Sequence, residues 1–351
     1  MLTCANDCST LSYKTTIQDI AKELNLTSAT ISRALHNNPR ISEQTRRLVL
    51  EAAKRLDYSR NKIASSLRSG RSHTIGVIIP SVQMNFFGSV VHGIQTLANT
   101  NGYSILLYQT EESPQLEIKA IETFLGARVD GILVSLAKGT TDLSHFRELM
   151  RRKMPLVFFD RTNDMLDVPS VIIDDYKGAY FATEHLIKQG YKNIAHVSGQ
   201  QHLKVFHDRL EGYKNAITAN GREVDEKYIF PGNISIDSGK KAVDYFLGLA
   251  QPPDAVFAVE DYTALGVIQR LKEKEIKIPN DFGVVGFANE SFGEYITPSL
   301  STVDQQTVQM GREAFSMLVD LINGDHVIAD IKPKVILEPV LYCRCSSQKN
   351  S

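Results

Sequence analysis

Short apolar runs alternate with segments of helical periodicity along most of the chain after residue 72. Such runs, separated by connections long enough for a crossover, predict parallel strands covered by helices on both faces. Eight runs exceed an ordinary doubly wound sheet, so we predict an α/β core of two similar parallel-sheet lobes, with a ligand cleft between them. The predicted strands are residues 75–79, 104–108, 131–135, 156–160, 171–174, 194–198, 255–259 and 283–287.

The segment before this core predicts a small all-α region of three helices. The first has apolar residues at positions i, i+3, i+4 and i+7 and follows Thr15 or Thr16 as N-cap. Asn25 then ends it, because asparagine accepts the left-handed conformation that β-branched residues resist. The third helix begins at Ser42. The residues predicted to face a core are Ile17, Ile20, Ala21 and Leu24 on the first helix, and Leu48, Ala52 and Leu56 on the third.

The second helix, "TSATISRAL" at residues 27–35, separates apolar from small polar side chains. At about 100° per residue, its packing face carries Ile31, Ala34 and Leu35. Thr27 is the predicted N-cap. Ser28 and Ala29 lie on a separate, small polar face and would let the backbone approach base edges, while Arg33 can donate to guanine O6 and N7. Two short helices joined in this way predict a helix-turn-helix motif, with an ordinary helical hairpin as the alternative.

The distribution of charge also differs between residues 1–71 and the rest of the chain. Residues 1–71 carry 12 Lys and Arg against 6 Asp and Glu, and the remainder carries 27 against 34, which together give the net charge of −1. A basic segment before an acidic body predicts that only the first part meets a polyanion. The apolar runs are far shorter than the roughly 20 residues of a membrane span. The start, "MLTCANDCST", lacks the features of a secretory signal, so we expect a cytoplasmic protein without a membrane partner.

The sequence gives little support for an enzyme or a metal site. The cysteine pairs, Cys4 with Cys8 and Cys343 with Cys345, do not have zinc-ribbon spacing, so we predict reduced thiols, no metal and no cofactor. The segment "GNISIDSGKK" has six residues between its glycines where a phosphate-binding loop has four. Asp174 and Asp175 are adjacent in sequence, so on a strand they would point to opposite faces and make a poor acid–base pair.

The residues quoted above belong to a longer resemblance. The stretch "TTIQDIAKELNLTSATISRALHNNPRISEQTRRLVLEAAKRLDYSRNKIASSLRSGRSHTIGVIIP" resembles the DNA-binding head and first core strand of the lactose-repressor (LacI/GalR) family of bacterial transcription regulators. "NFFGSVVHGIQTLANTNGY", "PLVFFDR", "DRLEGYKNAI" and "TPSLSTVDQ" extend the resemblance to nearly the whole chain. It implies a helix-turn-helix domain at 15–60, a hinge at 61–72 and an effector-binding and dimerisation domain at 73–351. Residues 1–14 lie outside it and lack periodicity, so we expect a loose tail there.

The resemblance implies a homodimer that binds a near-palindromic double-stranded operator, and we expect a repressor. Matching positions nominate Thr27, Ser28, Ala29, Thr30, Arg33, Asn61, Ala64 and Leu67 as DNA-binding residues. In the hinge, "NKIASSLRS", Leu67 would wedge into a minor-groove step. A flexible basic linker is the alternative, and both descriptions hold if the hinge orders only on DNA. Arg60 stands where the family usually has proline.

In this family a small molecule in the cleft controls operator binding, and we expect a sugar or sugar derivative. Matching positions nominate Phe86, Ser135, Asp160, Arg209, Glu260, Asp261, Asn289 and Gln305 as effector-binding residues. Arg209 stands out because "RLEGY" carries the family's R-x-x-G pattern. Any of the aromatic or acidic residues could instead serve in the core or as a helix cap. Ala288, where many sugar-responsive members have aspartate, argues against the usual binding of a neutral sugar.

Two other functions use a similar core. An exported solute-binding protein of the periplasmic type would share the two lobes, but the basic first segment and the absent signal sequence argue against it. An α/β enzyme is the second alternative, because such cores host much catalysis. The sequence has no nucleophile elbow, zinc-protease helix or dinucleotide fingerprint, so we predict that the chain is not an enzyme.

Overall fold

A computed structural model describes residues 15–58, 70–324 and 334–349. Packing divides the chain into two compact units, Met1–Ser72 and His73–Ser351. The predicted tail at 1–14 and the hinge residues Asn61, Ala64 and Leu67 lie outside the described residues. The predicted domain limits stay predictions.

Three described helices form the first unit: α1 (Ile17–Glu23), α2 (Ser28–Leu35) and α3 (Glu43–Arg55). Thr16, rather than Thr15, is the N-cap of α1, and its N–H donates to the Asp19 carboxylate at 2.8 Å. Asn25 has the left-handed conformation predicted for the turn, with a φ of 51°. Side-chain caps therefore fix where these short helices begin, as their sequences predict.

The core of this unit differs from the prediction on α3. Leu48, predicted to face the core, is 49% exposed, and Val49 is fully buried instead. The helix has apolar residues on two neighbouring stripes, and the stripe with the small side chains Ala52 and Ala53 packs against α1 and α2. The buried residues are Ile20, Ala21, Ile31, Ala34, Val49, Ala52 and Ala53.

The second unit consists of two lobes, each built on a six-stranded sheet. Its strands are β1 (Thr74–Ile79), β2 (Ser104–Gln109), β3 (Gly131–Val134), β4 (Leu156–Phe159), β5 (Ser170–Ile173), β6 (Ile194–Ser198), β7 (Ile229–Pro231), β8 (Ala255–Ala258), β9 (Gly283–Phe287), β10 (Ser301–Asp304), β11 (Lys334–Leu337) and β12 (Val340–Tyr342). Its helices are α4 (Asn85–Thr100), α5 (Pro114–Gly126), α6 (Ser144–Arg151), α7 (Asp175–Lys188), α8 (Lys204–Ala219), α9 (Ile236–Leu247), α10 (Asp261–Glu273) and α11 (Thr307–Asn323), with 3₁₀ turns at Glu226–Tyr228 and Ser291–Glu294.

The sheet of the first lobe has the order β11-β5-β4-β3-β1-β2, and that of the second β12-β10-β9-β8-β6-β7. Neighbouring strands are parallel, except that β12 runs antiparallel to β10. All eight predicted strands are present, and β7, β10, β11 and β12 join them. The predicted strand at 171–174 ends at Ile173 instead, because Asp174 leaves the sheet and caps α7 by accepting a hydrogen bond from the Lys177 N–H.

Helices cover both faces of each sheet, as continuous apolar strands require. In the first lobe, α4 and α11 pack on one face of the sheet, and α5 and α6 pack on the other. In the second lobe, α7 and α8 cover one face, and α9 and α10 cover the other. The chain passes from lobe to lobe after β5, β10 and β11, so the carboxyl ends of several strands meet at the boundary. Within the described residues, none of the helices has the length and apolar character needed to cross a membrane.

Candidate functional site

Helix α2 presents small side chains and one arginine to solvent. Ser28, Ala29 and Arg33 are exposed, and Thr30 is half-buried. The Thr27 hydroxyl accepts a hydrogen bond from the Thr30 N–H at 3.2 Å and shares another with the Thr30 hydroxyl at 2.9 Å. Local hydrogen bonds thus order the first turn while its outer face stays accessible.

In the second unit, two adjacent cavities lie between the lobes at the carboxyl ends of the strands. The inner chamber, of about 30 Å³, is lined by Phe86, Asp160, Arg209, Glu260 and Gln305, among others. The outer vestibule, of about 610 Å³, is lined mainly by the 136–141 and 160–165 loops of the first lobe and by residues 202–208 of the second. Asp160, Arg161 and Val205 belong to both cavities. Parallel sheets place ligand sites at this end of their strands.

Six of the eight predicted effector residues come together here. Five line the inner chamber, as given above. The sixth, Ser135, is fully buried and donates a hydrogen bond from its hydroxyl to Asp160 Oδ2 at 3.3 Å. Asp160 follows β4 with a φ of 58°, a conformation that aspartate accepts more readily than most residues.

The other two predicted residues, Asp261 and Asn289, do not line the inner chamber. The Asp261 carboxylate accepts hydrogen bonds from the Thr302 hydroxyl at 2.6 Å and from the Glu290 N–H at 2.7 Å. The Asn289 side chain donates to Asp304 at 3.1 Å and accepts from Arg344 at 2.9 Å. Both residues hold the loop after β9 in place, and their effector role stays a prediction that this geometry does not favour.

Arg209 is the most firmly held residue of the chamber. Its Nε donates to Asp175 Oδ1 at 2.8 Å, its Nη1 donates to the Val259 carbonyl at 2.7 Å, and its guanidinium lies 3.7 Å from the centre of the Phe287 ring. Gly212 explains the R-x-x-G pattern, because a Cβ there would lie 2.2 Å from the Tyr176 carbonyl oxygen. Only glycine lets α8 approach α7 closely enough for the Arg209–Asp175 ion pair.

Burial raises the pKa values of the carboxyl groups in and beside the chamber. Burial, reinforced by the neighbouring Asp261 charge, raises the pKa of Glu260 to about 8. Burial also raises the pKa of Asp160, against the opposing charges of Arg161 and Arg209. For Asp175 burial raises the pKa, and the Arg209 guanidinium opposes that rise. These carboxyl groups are therefore costly to ionise without a partner.

Sequence reasoning missed two residues that shape the cleft. Asp175 lies just after the predicted strand at 171–174 and has no partner that the sequence reveals, although an aspartate close after an apolar run is a usable signal. Arg161 is 6% exposed and donates from Nη1 to both oxygens of Glu112, at 2.8 and 2.9 Å. The roles of Asp175 and Arg161 depend on ion pairs between distant parts of the chain, which the sequence alone does not reveal.

No metal site appears in the part of the chain that the structure describes, where no three His, Cys, Asp or Glu side chains cluster suitably. Cys343 and Cys345 are free and exposed, and Cys343 Sγ lies 3.4 Å from His185 Nδ1. Cys4 and Cys8 lie outside the described residues.

Two family models cover most of the sequence. Residues 16–61 match the model described as bacterial regulatory proteins, lacI family. Residues 72–337 match the model of periplasmic binding proteins and the sugar binding domain of the LacI family. The chain belongs to the LacI family. The resemblance seen in the sequence is thereby confirmed.

Individual relatives agree with this assignment. The LacI-family chain is 34% identical to catabolite control protein A of Priestia megaterium, over 90% of this chain and 95% of that protein. It is 33% identical to the transcriptional repressor CytR of Escherichia coli K12, over 89% and 91% of the two chains. A solved structure, the transcriptional regulator CelR in complex with cellobiose, matches with a TM-score of 0.72 and 28% identity, over 95% of this chain and 100% of that one. The chain is a ligand-controlled, DNA-binding transcriptional regulator and not an enzyme.

Proposed function

We propose that this LacI-family regulator is a homodimeric repressor that binds a near-palindromic operator through α2 and responds to a small molecule held between its lobes. The observation that carries the proposal is the chamber itself, where polar side chains from both lobes converge on one small cavity. A ligand that contacts both walls favours one arrangement of the lobes over others, which is the differential binding that control of a second site requires.

On the DNA side, we assign base reading to the exposed face of α2. Arg33 would donate two hydrogen bonds to a guanine, and the small side chains of Ser28 and Ala29 would allow the helix to enter the major groove. The Thr27 and Thr30 hydroxyls lie at the helix start, where they suit phosphate oxygens. The hinge residues Asn61, Ala64 and Leu67 remain proposed minor-groove contacts on sequence grounds.

On the effector side, we assign contacts to Phe86, Asp160, Arg209, Glu260 and Gln305. Aromatic and carboxylate groups together suit a polyhydroxylated ring, whose faces are apolar and whose edges carry hydrogen-bond donors. The structure of the CelR relative in complex with cellobiose supports an effector of sugar size for this chain.

For dimerisation, we propose that a second copy covers the edge strand β2. Leu106 and Leu107 on this strand are 39% and 43% exposed, and Ile118 on the neighbouring helix α5 is 39% exposed. An edge strand with exposed apolar side chains is normally covered by another element or chain. A two-fold dimer would also place two copies of α2 for the two half-sites of an operator.

Selection from a random duplex library with the full chain tests this function. We expect enrichment of a near-palindromic sequence that binds two chains per duplex, with a preference over random DNA of roughly 10³-fold or more at one fixed salt concentration. Sedimentation of the protein–duplex complex gives the stoichiometry. Equal binding to enriched and random duplexes across a salt titration would overturn the proposal.

A further inference from the structure

The lysines and arginines that line the cleft already have carboxylate partners. In the inner chamber, Arg209 pairs with Asp175 at 2.8 Å, and Arg161 pairs with Glu112 at 2.8 Å. In the vestibule, Lys204 pairs with Asp208 at 2.6 Å, and Lys138 lies 3.6 Å from the same Glu112. A ligand anion would have to compete with an internal carboxylate for each of these cations.

Two carboxyl groups of the chamber, by contrast, lack a cation of their own, because Asp160 shares Arg161 with Glu112 and Glu260 has no ion-pair partner among the described residues. In the part of the chain that the structure describes, no basic side chain forms an ion pair with Glu260, whose Oε2 accepts only the Tyr262 N–H, at 2.7 Å. Asp160 Oδ2 accepts from the Ser135 hydroxyl at 3.3 Å and lies 3.9 Å from Arg161 Nε, which Glu112 already engages through Nη1. The chamber therefore has a surplus of acidic groups.

The two groups reach the chamber from opposite walls. Asp160 follows β4 in the first lobe, and Glu260, only 5% exposed, caps α10 in the second. Phe86 and Phe206 line the same space. Carboxylates together with aromatic rings are the groups that attract a cation in a desolvated site. The volumes agree, because about 30 Å³ suits one ammonium-sized group and about 610 Å³ suits the rest of a ligand.

We propose that the effector is a small cyclic compound with a protonated amine, and that this amine lies in the inner chamber between Glu260 and Asp160. The inference rests on the proposed function and narrows its effector class. The ring of the ligand occupies the vestibule. Anionic ligands such as sugar phosphates and sugar acids bind poorly, because the cations of the cleft already have carboxylate partners.

Proton release accompanies binding of such an amine. Glu260 faces the charges of Asp261, Glu290 and Arg209, with Asp160 on the opposite wall, and burial raises its pKa to about 8. At pH 7 the free carboxyl group thus holds a proton for most of the time. An ammonium group beside it favours the ionised form, so the proton leaves when the amine binds.

Pairs of ligands that differ only in the amine distinguish the contribution of the amine to affinity from that of the ring. We would measure thermal shift and calorimetric affinity of the full chain with glucosamine against glucose, galactosamine against galactose, and cyclohexylamine against cyclohexanol, with glucose 6-phosphate as the anion. At least one amine should bind about tenfold or more tightly than its neutral partner. The sugar and cyclohexyl pairs show whether the ring must carry hydroxyls. Calorimetry at pH 7 in two buffers of different ionisation enthalpy should detect the released proton.

Glu260→Gln should reduce the preference for the amine to within about threefold and reduce proton release, since the amide cannot ionise. Glu226→Gln is the matched control, because that carboxylate lies in the same lobe and its side chain is 76% exposed. The proposal fails if no amine exceeds its neutral partner, if the phosphate binds most tightly, or if Glu260→Gln keeps the preference. Operator selection without ligand tests the proposed function separately, so the two failures are distinguishable.

Discussion

Helix α2 and the inner chamber use polar side chains in opposite ways. On α2, Ser28, Ala29 and Arg33 are exposed, and the ordering hydrogen bonds join Thr27 to Thr30, three residues along the chain. In the chamber, Arg209 is 3% exposed and bonds to groups 34 and 50 residues away. A surface that binds DNA can consist of exposed side chains on a stable scaffold, whereas a site that encloses a small molecule is part of the core. Substitutions in the chamber should therefore affect stability, and those on α2 should affect binding.

The largest expected effect is that of Arg209→Ala on stability. This change leaves Asp175 buried without its ion-pair partner, and breaking a buried pair in this way costs about 3–5 kcal/mol of the free energy of unfolding. Urea denaturation of the full chain, followed by circular dichroism, measures the loss. Asp175→Asn on the Arg209→Ala background should recover part of it, because the amide does not ionise and needs no ion-pair partner.

Lys204→Ala is the control for this measurement. Lys204 pairs with Asp208 on the same helix, but the two side chains are 45% and 26% exposed. An exposed pair of this kind contributes at most about 1 kcal/mol. If Arg209→Ala lowers the free energy of unfolding no more than Lys204→Ala does, the stability of the chamber does not depend on its ion pair. The chamber and α2 would then not differ in their contribution to stability.

Arg33→Ala should show the reverse behaviour. We expect the free energy of unfolding to change by no more than about 0.5 kcal/mol, because the side chain is exposed. Operator binding should weaken by about 1–3 kcal/mol, with a relaxed preference at one position per half-site. Binding titrations on the selected operator and on its single-base variants measure both effects.

Arg47→Ala serves as the comparison for Arg33→Ala. Arg47 lies on α3 with its side chain 81% exposed, so it carries the same charge away from the proposed reading face. Its removal should leave base preference unchanged. Uniform weakening on all sequences with Arg33→Ala would make Arg33 a phosphate contact and move base reading elsewhere.

The same contrast explains what the sequence could predict of the fold. Strands such as β1 and β9 are buried on both faces, so their continuous apolar runs were visible. β12 pairs antiparallel to β10 at a sheet edge and is only partly buried, so its pattern was weak. Leu48 and Val49 occupy adjacent stripes of α3, and only packing against α1 and α2 decides between them.

For the site, the alternation of strands and helices predicted a ligand cleft between two lobes, and the sequence nominated the cleft residues only through the family resemblance. It placed Phe86, Asp160, Arg209 and Glu260 at one cavity by resemblance to the family. It missed Asp175, whose importance depends on a partner 34 residues away. Exposure and pairing of charged groups are properties of the folded chain, so the acidic surplus of the chamber was not predictable from residue types alone.

The smallest expected effect, on the ordering of α2 itself, comes from Thr27→Ala. The Thr27 hydroxyl accepts the Thr30 N–H at 3.2 Å, and loss of such a cap costs about 1 kcal/mol of local helix stability. Amide hydrogen exchange of α2 in the full chain should then be roughly fivefold faster, because exchange follows the free energy of local opening. Thr27→Ser keeps the accepting oxygen and should exchange at nearly the wild-type rate. If all three proteins exchange alike, the first turn is ordered by its packing against α1 and α3. Helix α2 would then depend on contacts with distant residues, as the chamber does.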